Sequence, residues 1–203
     1  MDIDPKDVIE SAQRAAEVDR ASQARRLNAA VAITVALLAT FTGICKVKDD
    51  NIVQAMQQAQ ADKLDHWAFY QARNLRQEMA DIAVTQLDLA RLSAPADARG
   101  AYDAAVSKYR QLADDQARKK QELQAQAEQD QKNYDALNYR DDQFDLSDAF
   151  IAVAIAMLAV AALTELWLLY WTALVPTVLG TLMGCAGLFQ WPIHPDTLVR
   201  LLS

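Results

Sequence analysis

The chain has 203 residues, a net charge of -7 and a mean hydropathy of -0.08. Its acidic balance disfavours nucleic-acid binding, because basic residues occur only in short groups, such as the one at positions 20–26. The neutral hydropathy averages two unlike populations: residues 27–45 and 149–189 contain a single charged side chain, Glu165, and all other charged side chains lie outside them. This separation predicts an all-α membrane protein with a large water-exposed part.

Residues 1–26 predict a polar helix, with Asp4 as its N-terminal cap and Pro5 in its first turn. Residues 27–45 follow as transmembrane helix 1, because about 19 apolar residues at 1.5 Å each come close to the ~30 Å hydrocarbon thickness. The run starts late and lacks a small-residue cleavage site, so it predicts a retained anchor and not a secretory signal. Small residues at helical spacing give it one face that another helix can approach closely, and we expect that face to be packed. They are Ala32, Ala36, Thr40 and Gly43.

Residues 46–145 predict an extramembrane antiparallel helical hairpin between the first and second transmembrane helices. Its arms, 50–92 and 97–140, contain no proline and only one glycine, Gly100, so each can run as an unbroken helix of ~65 Å. The breaker cluster between them contains Pro95, which suits the first turn of a new helix. Because the arms are equally long, both ends of the hairpin are expected to return to the membrane.

An apolar stripe at coiled-coil spacing follows the first arm, with two glutamines set into it, and is expected to form the seam of the hairpin. It consists of Leu64, Ala68, Gln71, Leu75, Met79, Ile82, Gln86 and Leu89. The second arm carries a comparable stripe of Tyr102, Ala105, Tyr109, Leu112, Gln116, Leu123 and Leu137. The segment 121–132 is polar on every face, so the hairpin is expected to be weak alone and to bundle with other arms or other subunits. The alternative is a mobile distal hairpin.

An aromatic and basic cluster, here called the belt, lies on the first arm and consists of Trp67, Tyr70, Gln71, Arg73 and Arg76. Trp67 and Tyr70 are one turn apart and Arg73 lies one turn further on, so a guanidinium can cover a ring or reach a carboxylate. Two roles stay open: packing inside the hairpin, or contact with another subunit or protein.

Six aspartates, here called the acidic collar, are expected to lie at one membrane edge, because the hairpin brings its two ends together. They are Asp49, Asp50, Asp141, Asp142, Asp145 and Asp148. In a ring-shaped assembly the acidic collar would concentrate cations at a pore mouth. The alternative is a solvated acidic interface.

Residues 149–189 are too long for one membrane crossing and long enough for two. The predicted segments are transmembrane helix 2 at 146–164, transmembrane helix 3 at 167–190 and a C-terminal tail at 191–203. Glu165 is expected at the turn between the two helices. In transmembrane helix 3, Gly180 and Gly184 predict a strip for close helix packing, and its partner is either a helix of the same chain or a helix of another copy.

The basic residues that precede the first span favour a cytoplasmic N-terminus, since positive charge is retained on that side. They are Arg14, Arg20, Arg25 and Arg26, against Lys46 and Lys48 after the span. Three crossings then place the hairpin and the tail outside the cytoplasm. Cys45 and Cys185 would lie toward one leaflet, where we expect free thiols and a disulfide is the alternative.

The sequence from Asp65 to Gln77 resembles a family of bacterial membrane proteins known as domain of unknown function 4337. The similarity rests on the aromatic pair Trp67 and Tyr70, the Gln71-Ala72 step and the basic Arg73 and Arg76, with arginine where lysine is usual, and on a second match at positions 142–146. The resemblance implies a three-span protein of the bacterial inner membrane; in such a cell the orientation given by the basic residues places the hairpin in the periplasm. It implies no activity.

No enzymatic function is expected, because the chain has no phosphate loop, nucleophile motif or paired metal-binding histidines. Catalytic residues, a metal and cofactors are therefore not predicted. The first hypothesis is a homo-oligomeric scaffold in contact with lipid, held by small-residue transmembrane faces and bundled hairpins. One alternative is an ion channel or transport component with the acidic collar at its mouth. The other is an adaptor whose belt binds an unidentified protein partner.

Overall fold

The structure, a computed structural model, describes residues 5–193, with the side chains of Glu10 and residues 13–193 in that range. The described residues form three α-helices and no strand: α1 at Pro5–Ser93, α2 at Arg99–Thr164 and α3 at Trp167–Phe189. The predicted all-helical class is confirmed. Residues 1–4 of the predicted N-terminal helix and residues 194–203 of the predicted tail lie outside the described residues.

Helix α1 joins three predicted segments into one element of 89 residues: the polar helix, the apolar run and the first arm. Nothing in the sequence interrupts it, since no proline occurs between Pro5 and Pro95 and the only glycine is Gly43. The helix ends in a turn in which the Ala98 amide donates to the Pro95 carbonyl at 3.1 Å. Pro95 therefore lies in the turn, and α2 begins four residues later at Arg99.

The break between α2 and α3 falls at Glu165 and Leu166. Glu165 has a φ of 56°, in the left-handed region that reverses a helical chain. At the other end of α3, Gln190 has a φ of 60°, and the Trp191 amide donates to the Ala186 carbonyl at 3.0 Å. This hydrogen bond satisfies a carbonyl of the last helical turn.

The chain divides into two compact units, which we name the three-helix unit (Met1–Ile52 with Tyr139–Ser203) and the hairpin unit (Val53–Asn138). In the three-helix unit, large apolar side chains from all three helices bury one another. This core contains Leu27, Val31, Leu38, Ile151, Ala154, Leu158 and Ala173. Among the described residues, α1, α2 and α3 each contain a stretch long and apolar enough to cross a membrane.

In the hairpin unit the first arm (from α1) and the second arm (from α2) run antiparallel. The cross-arm pairs establish the direction: His66 contacts Asp130, and Arg91 contacts Asp103 near the turn. The arms meet over small side chains, with Ala80 2%, Ala113 5% and Ala127 1% exposed. Alanine at these positions lets the two backbones approach closely, and polar side chains hydrogen-bond across the seam.

Candidate functional site

The glycine strip of α3 makes close contacts with the other helices of the three-helix unit. A Cβ added at Gly180 would lie 2.8 Å from Ile151 Cγ1 and 3.1 Å from the Ile151 backbone nitrogen. The hydroxyl of buried Ser147 donates to the Gly180 carbonyl at 2.8 Å. A Cβ at Gly184 would lie 2.7 Å from the Phe41 ring and equally close to Ser147 Oγ. The small residues therefore pack α3 against α2 and α1 of the same chain.

A third glycine extends this strip beyond the predicted pair. A Cβ at Gly187 would lie 2.8 Å from the ring of Phe144, which is itself 2% exposed. Sequence reasoning missed Gly187, although its position one turn after Gly184 continues the same helix face. Close packing of α2 and α3 therefore extends over at least two turns.

The small face of α1 is left uncovered by the described chain. Its members Ala32, Ala36, Thr40 and Gly43 are all exposed, and a Cβ added at Gly43 would meet no atom within 4 Å. The buried side of α1 carries instead Leu27, Val31, Leu38 and Cys45. At one end of this face, Ala32 lines a groove together with Ile155 and Ala159 of α2. The role of the small face as a contact between copies stays a prediction.

The apolar stripe of the first arm also lies on the outside, so the expectation that it forms the seam of the hairpin is wrong. All of its eight residues are exposed, including Leu75 at 58%, Met79 at 62% and Ile82 at 56%. The arm turns a different face, which includes Ala80 and Arg73, toward its neighbour. The second-arm stripe is divided: Gln116 is 4% exposed and faces the first arm, while Tyr109 and Leu112 are 37% and 43% exposed.

The exposed stripe meets the second arm at one shallow groove. Arg76, Met79 and Ala83 of the first arm line it together with Tyr109 and Leu112 of the second. The outward side of the hairpin unit therefore presents a joined apolar surface from both arms, with one guanidinium at its margin.

Part of the belt packs inside the hairpin unit. The rings of Trp67 and Tyr70 make an edge contact at 5.2 Å between centroids. The cation over the Tyr70 ring is Lys120 of the second arm, at 5.8 Å, and not Arg73. Arg73 donates to the buried amide oxygen of Gln116 at 3.0 Å.

The other two members of the belt, Gln71 and Arg76, are exposed. Gln71 also belongs to the apolar stripe, and Arg76 lines its groove. The belt is thus divided between hairpin packing and the outer surface.

The acidic collar belongs to the three-helix unit and is centred on Asp49, which is 4% exposed. Lys46 Nζ donates to Asp49 Oδ2 at 2.8 Å and lies 3.5 Å from Asp50. The hydrogen bond that Lys46 donates to Asp49 is the largest cause that raises the pKa of Lys46. On α2, Asp145 is exposed, while Asp141, Asp142 and Asp148 are half-buried.

Burial is the largest cause that raises the pKa of the Asp141 carboxyl to about 6, and the next is the hydrogen bond that its protonated form can donate to Asp49. The structure therefore brings Asp49 and Asp141 together.

Gln143 is fully buried, and sequence reasoning did not single it out as a contact. Its amide donates to the carbonyls of Trp191 at 2.9 Å and Ile193 at 2.6 Å, which fastens the chain after α3 to α2. The neighbouring Arg140 donates to the Gly187 carbonyl at 3.3 Å. Gln143 lies in the sequence 142–146, which carries the second resemblance described above, so a signal for it was present.

A family described as Domain of unknown function (DUF4337) matches residues 27–190. The chain belongs to this family. The match begins at the first apolar run and reaches the end of α3, so the DUF4337 region includes the hairpin unit and all three apolar stretches. No curated protein and no solved structure matches the chain.

Membership of DUF4337 confirms the resemblance and adds no reaction chemistry. Among the described residues, no group of three or more His, Cys, Asp and Glu side chains is arranged to hold a metal ion. Both cysteines, Cys45 and Cys185, are free thiols. The described chain presents an exposed apolar stripe on the first arm and an exposed small face on α1, and it groups the aspartates of the acidic collar around buried Asp49.

Proposed function

We propose that this DUF4337 protein is a homo-oligomeric membrane scaffold without enzymatic activity. Transmembrane helices at 27–45, 146–164 and 167–190 anchor each copy, and copies join along the exposed stripe of the first arm. The exposure of that stripe carries the proposal, because a helix face with regularly spaced large apolar residues is normally covered. The small face of α1 provides a second contact inside the membrane.

The apolar stripe is large enough to hold two copies together. Its five large apolar residues are 56–62% exposed: Leu64, Leu75, Met79, Ile82 and Leu89. Covering the exposed share of each gives about 1–2 kcal/mol, so two copies contribute roughly 10–20 kcal/mol. Association costs roughly 4–15 kcal/mol at the 1 M standard state, so the gain can exceed the cost. Confinement of both copies to one membrane lowers that cost further.

The chemistry of the apolar stripe favours a second copy of this chain as the occupant. No charged residue lies in the stripe, so identical stripes can face each other without repulsion. Copies that insert in one membrane with the same topology present their first arms in parallel, and a two-fold axis then sets each stripe residue against itself. Gln71 and Gln86 would pair with their own copies, since an amide both donates and accepts hydrogen bonds. Such polar positions fix the register of a coiled coil.

The proposed location is the bacterial inner membrane, with the N-terminus in the cytoplasm and the hairpin unit in the periplasm. The excess of arginine before the first span supports this orientation, and the family resemblance supports the compartment.

Cysteine crosslinking in native membranes tests the assembly. Gln71→Cys places a thiol in the apolar stripe, and Gln126→Cys places one on an exposed position of the second arm outside it. Under mild oxidation, we expect Gln71→Cys to form a covalent dimer and Gln126→Cys to match the wild-type background set by Cys45 and Cys185. A membrane-impermeant thiol reagent added to intact spheroplasts should label Gln126→Cys if the hairpin is periplasmic.

Two results would count against the scaffold. One is equal dimer yield from Gln71→Cys and Gln126→Cys, which would indicate random collision. The other is a detergent-solubilised protein mass of 22.5 kDa, that of a single chain, over the whole concentration range.

A further inference from the structure

The buried side of α1 continues past its apolar run and includes a carboxylate. Asp49 lies one turn after Cys45 and just under one turn before Ile52, which are 1% and 3% exposed. The Asp49 side chain is itself 6% exposed. Aspartate at such a position needs hydrogen-bond donors for both of its oxygens, because burial removes the water that would solvate them.

Only one of those two oxygens has a donor. Oδ2 accepts a hydrogen bond from Lys46 Nζ at 2.8 Å. Oδ1 is inaccessible to solvent and has no hydrogen-bond partner among the described residues. A buried acceptor without a donor destabilises the folded state, so this oxygen indicates that a hydrogen or a cation belongs at the position.

The groups around Asp49 Oδ1 are mostly acidic. On α1 itself the charged neighbours are Lys46 and Asp50. On α2 the facing groups are Asp141, whose pKa is raised in part by Asp49, and Asp142, Asp145 and Asp148 around it. On α3 the titratable neighbour is the Cys185 thiol, near Cys45. One lysine thus stands among several carboxyl groups.

When Asp49 and Asp141 are both ionised, neither carboxylate carries a hydrogen that could join them, so their negatively charged oxygens repel. One proton converts the repulsion into a hydrogen bond, because a protonated carboxyl group is a donor. We propose that Asp49 and Asp141 bind one proton between them, with the Asp141 hydroxyl donating to Asp49 Oδ1, so that the proton joins α1 to α2 at the acidic collar.

The proton makes the stability of the three-helix unit depend on pH. The pKa of Asp141 rises from its ordinary value of 3.8 to about 6, so the folded protein holds the proton more tightly than the unfolded chain does. The stabilisation is complete below pH 3.8, declines as the pH rises toward 6, and is absent above that range. Acid should therefore stabilise this contact until other groups titrate.

Thermal unfolding of the full-length protein in detergent, from about pH 4.5 to about pH 8, tests the proposal. The wild-type unfolding temperature should fall with rising pH and level off above pH 6. Asp141→Asn supplies a permanent N–H donor to Asp49, so its unfolding temperature should lose this slope and stay high at neutral pH. Asp141→Ala removes the donor and should unfold at a lower temperature than Asp141→Asn at every pH. Asp50→Asn, next to Asp49 but with an exposed carboxylate, should keep the wild-type slope.

Infrared difference spectra detect the protonated carboxyl group directly. A purely structural role of Asp141 would produce no such signal. Between about pH 5 and about pH 8, the wild type should lose the C=O stretch of a protonated carboxyl group, and Asp141→Asn should lack that band. The proposal fails if the slope persists in Asp141→Asn, if Asp50→Asn abolishes it, or if Asn and Ala at position 141 behave alike. It also fails if sodium at constant pH stabilises the wild type but not Asp141→Asn, because the pair would then bind a cation and not a proton.

Discussion

Substitution of Gly180 by alanine tests the helix packing most sharply. The added Cβ would lie 2.8 Å from Ile151 Cγ1, against about 3.5–4.0 Å for a favourable carbon contact. Rotation of the Ile151 side chain cannot relieve the whole overlap, because the Ile151 backbone nitrogen would lie at 3.1 Å. Helices α2 and α3 must therefore separate locally, and the hydrogen bond from Ser147 to the Gly180 carbonyl lies at the same place.

The cost of Gly180→Ala follows from these contacts. Overpacking costs about 1–3 kcal/mol, and weakening of the Ser147 hydrogen bond adds about 0.5–1.5 kcal/mol. Against this, alanine in a helix is favoured over glycine by about 1 kcal/mol. The net loss is roughly 1–3 kcal/mol, which lowers the unfolding temperature by roughly 2–12 °C in a chain of this size.

The chain offers two matched controls for this substitution. A Cβ at Gly43 or at Gly100 would meet no atom within 4 Å, so Gly43→Ala and Gly100→Ala should gain helix propensity and unfold at the wild-type temperature or above it. Circular dichroism of the three variants in one detergent measures the difference. The mass of the detergent-solubilised Gly43→Ala protein is also measured, because the small face of α1 is a predicted contact between copies. If Gly180→Ala proves as stable as Gly100→Ala, the close approach of α2 and α3 is refuted.

Two further substitutions and one labelling reaction test other parts of the structure. Ile82→Ala in the exposed stripe should weaken self-association about tenfold or more with helix content unchanged, as sedimentation in detergent would show; unchanged association would contradict the proposed contact. Gln116→Leu should lower the stability of the hairpin unit by about 1–3 kcal/mol, because Arg73 loses its buried acceptor, and a thermal unfolding curve equal to that of wild type would oppose this. Cys185, half-buried, should react with a thiol reagent before Cys45, which is 1% exposed, and the two rates should converge after unfolding in SDS; mass spectrometry of the labelled protein would reveal the opposite order.

The glycines show which helix contacts residue spacing can predict and which it cannot. Spacing identified Gly180 and Gly184 as members of a contact strip, and the same rule grouped Gly43 with three small residues on α1. In the structure Gly180 and Gly184 touch other helices of the chain, whereas Gly43 faces open space. A small residue permits close approach but does not attract a helix, so spacing cannot say which permitted approach occurs.

The acidic collar shows a similar limit. The sequence predicted that aspartates from the two ends of the hairpin would lie near one another. It could not distinguish Asp49, which is buried, from its neighbour Asp50, which is exposed. That difference depends on the rotation of α1 against α2, because one residue along a helix turns the side chain by about 100°.

The sequence by itself determined the elements of this protein: helices throughout the described residues, a turn around Pro95, a break at Glu165 and three stretches apolar enough for a membrane. These follow from composition and from residues that stop a helix, which act locally. Only the tertiary structure decided which face each helix buries. The large apolar residues of the first arm have the regular spacing of a buried helix face. The arms nevertheless meet over alanines and cross-arm hydrogen bonds, and the apolar stripe stays exposed. A periodic apolar stripe indicates that a helix face is buried in the assembled protein, and a second molecule can bury it.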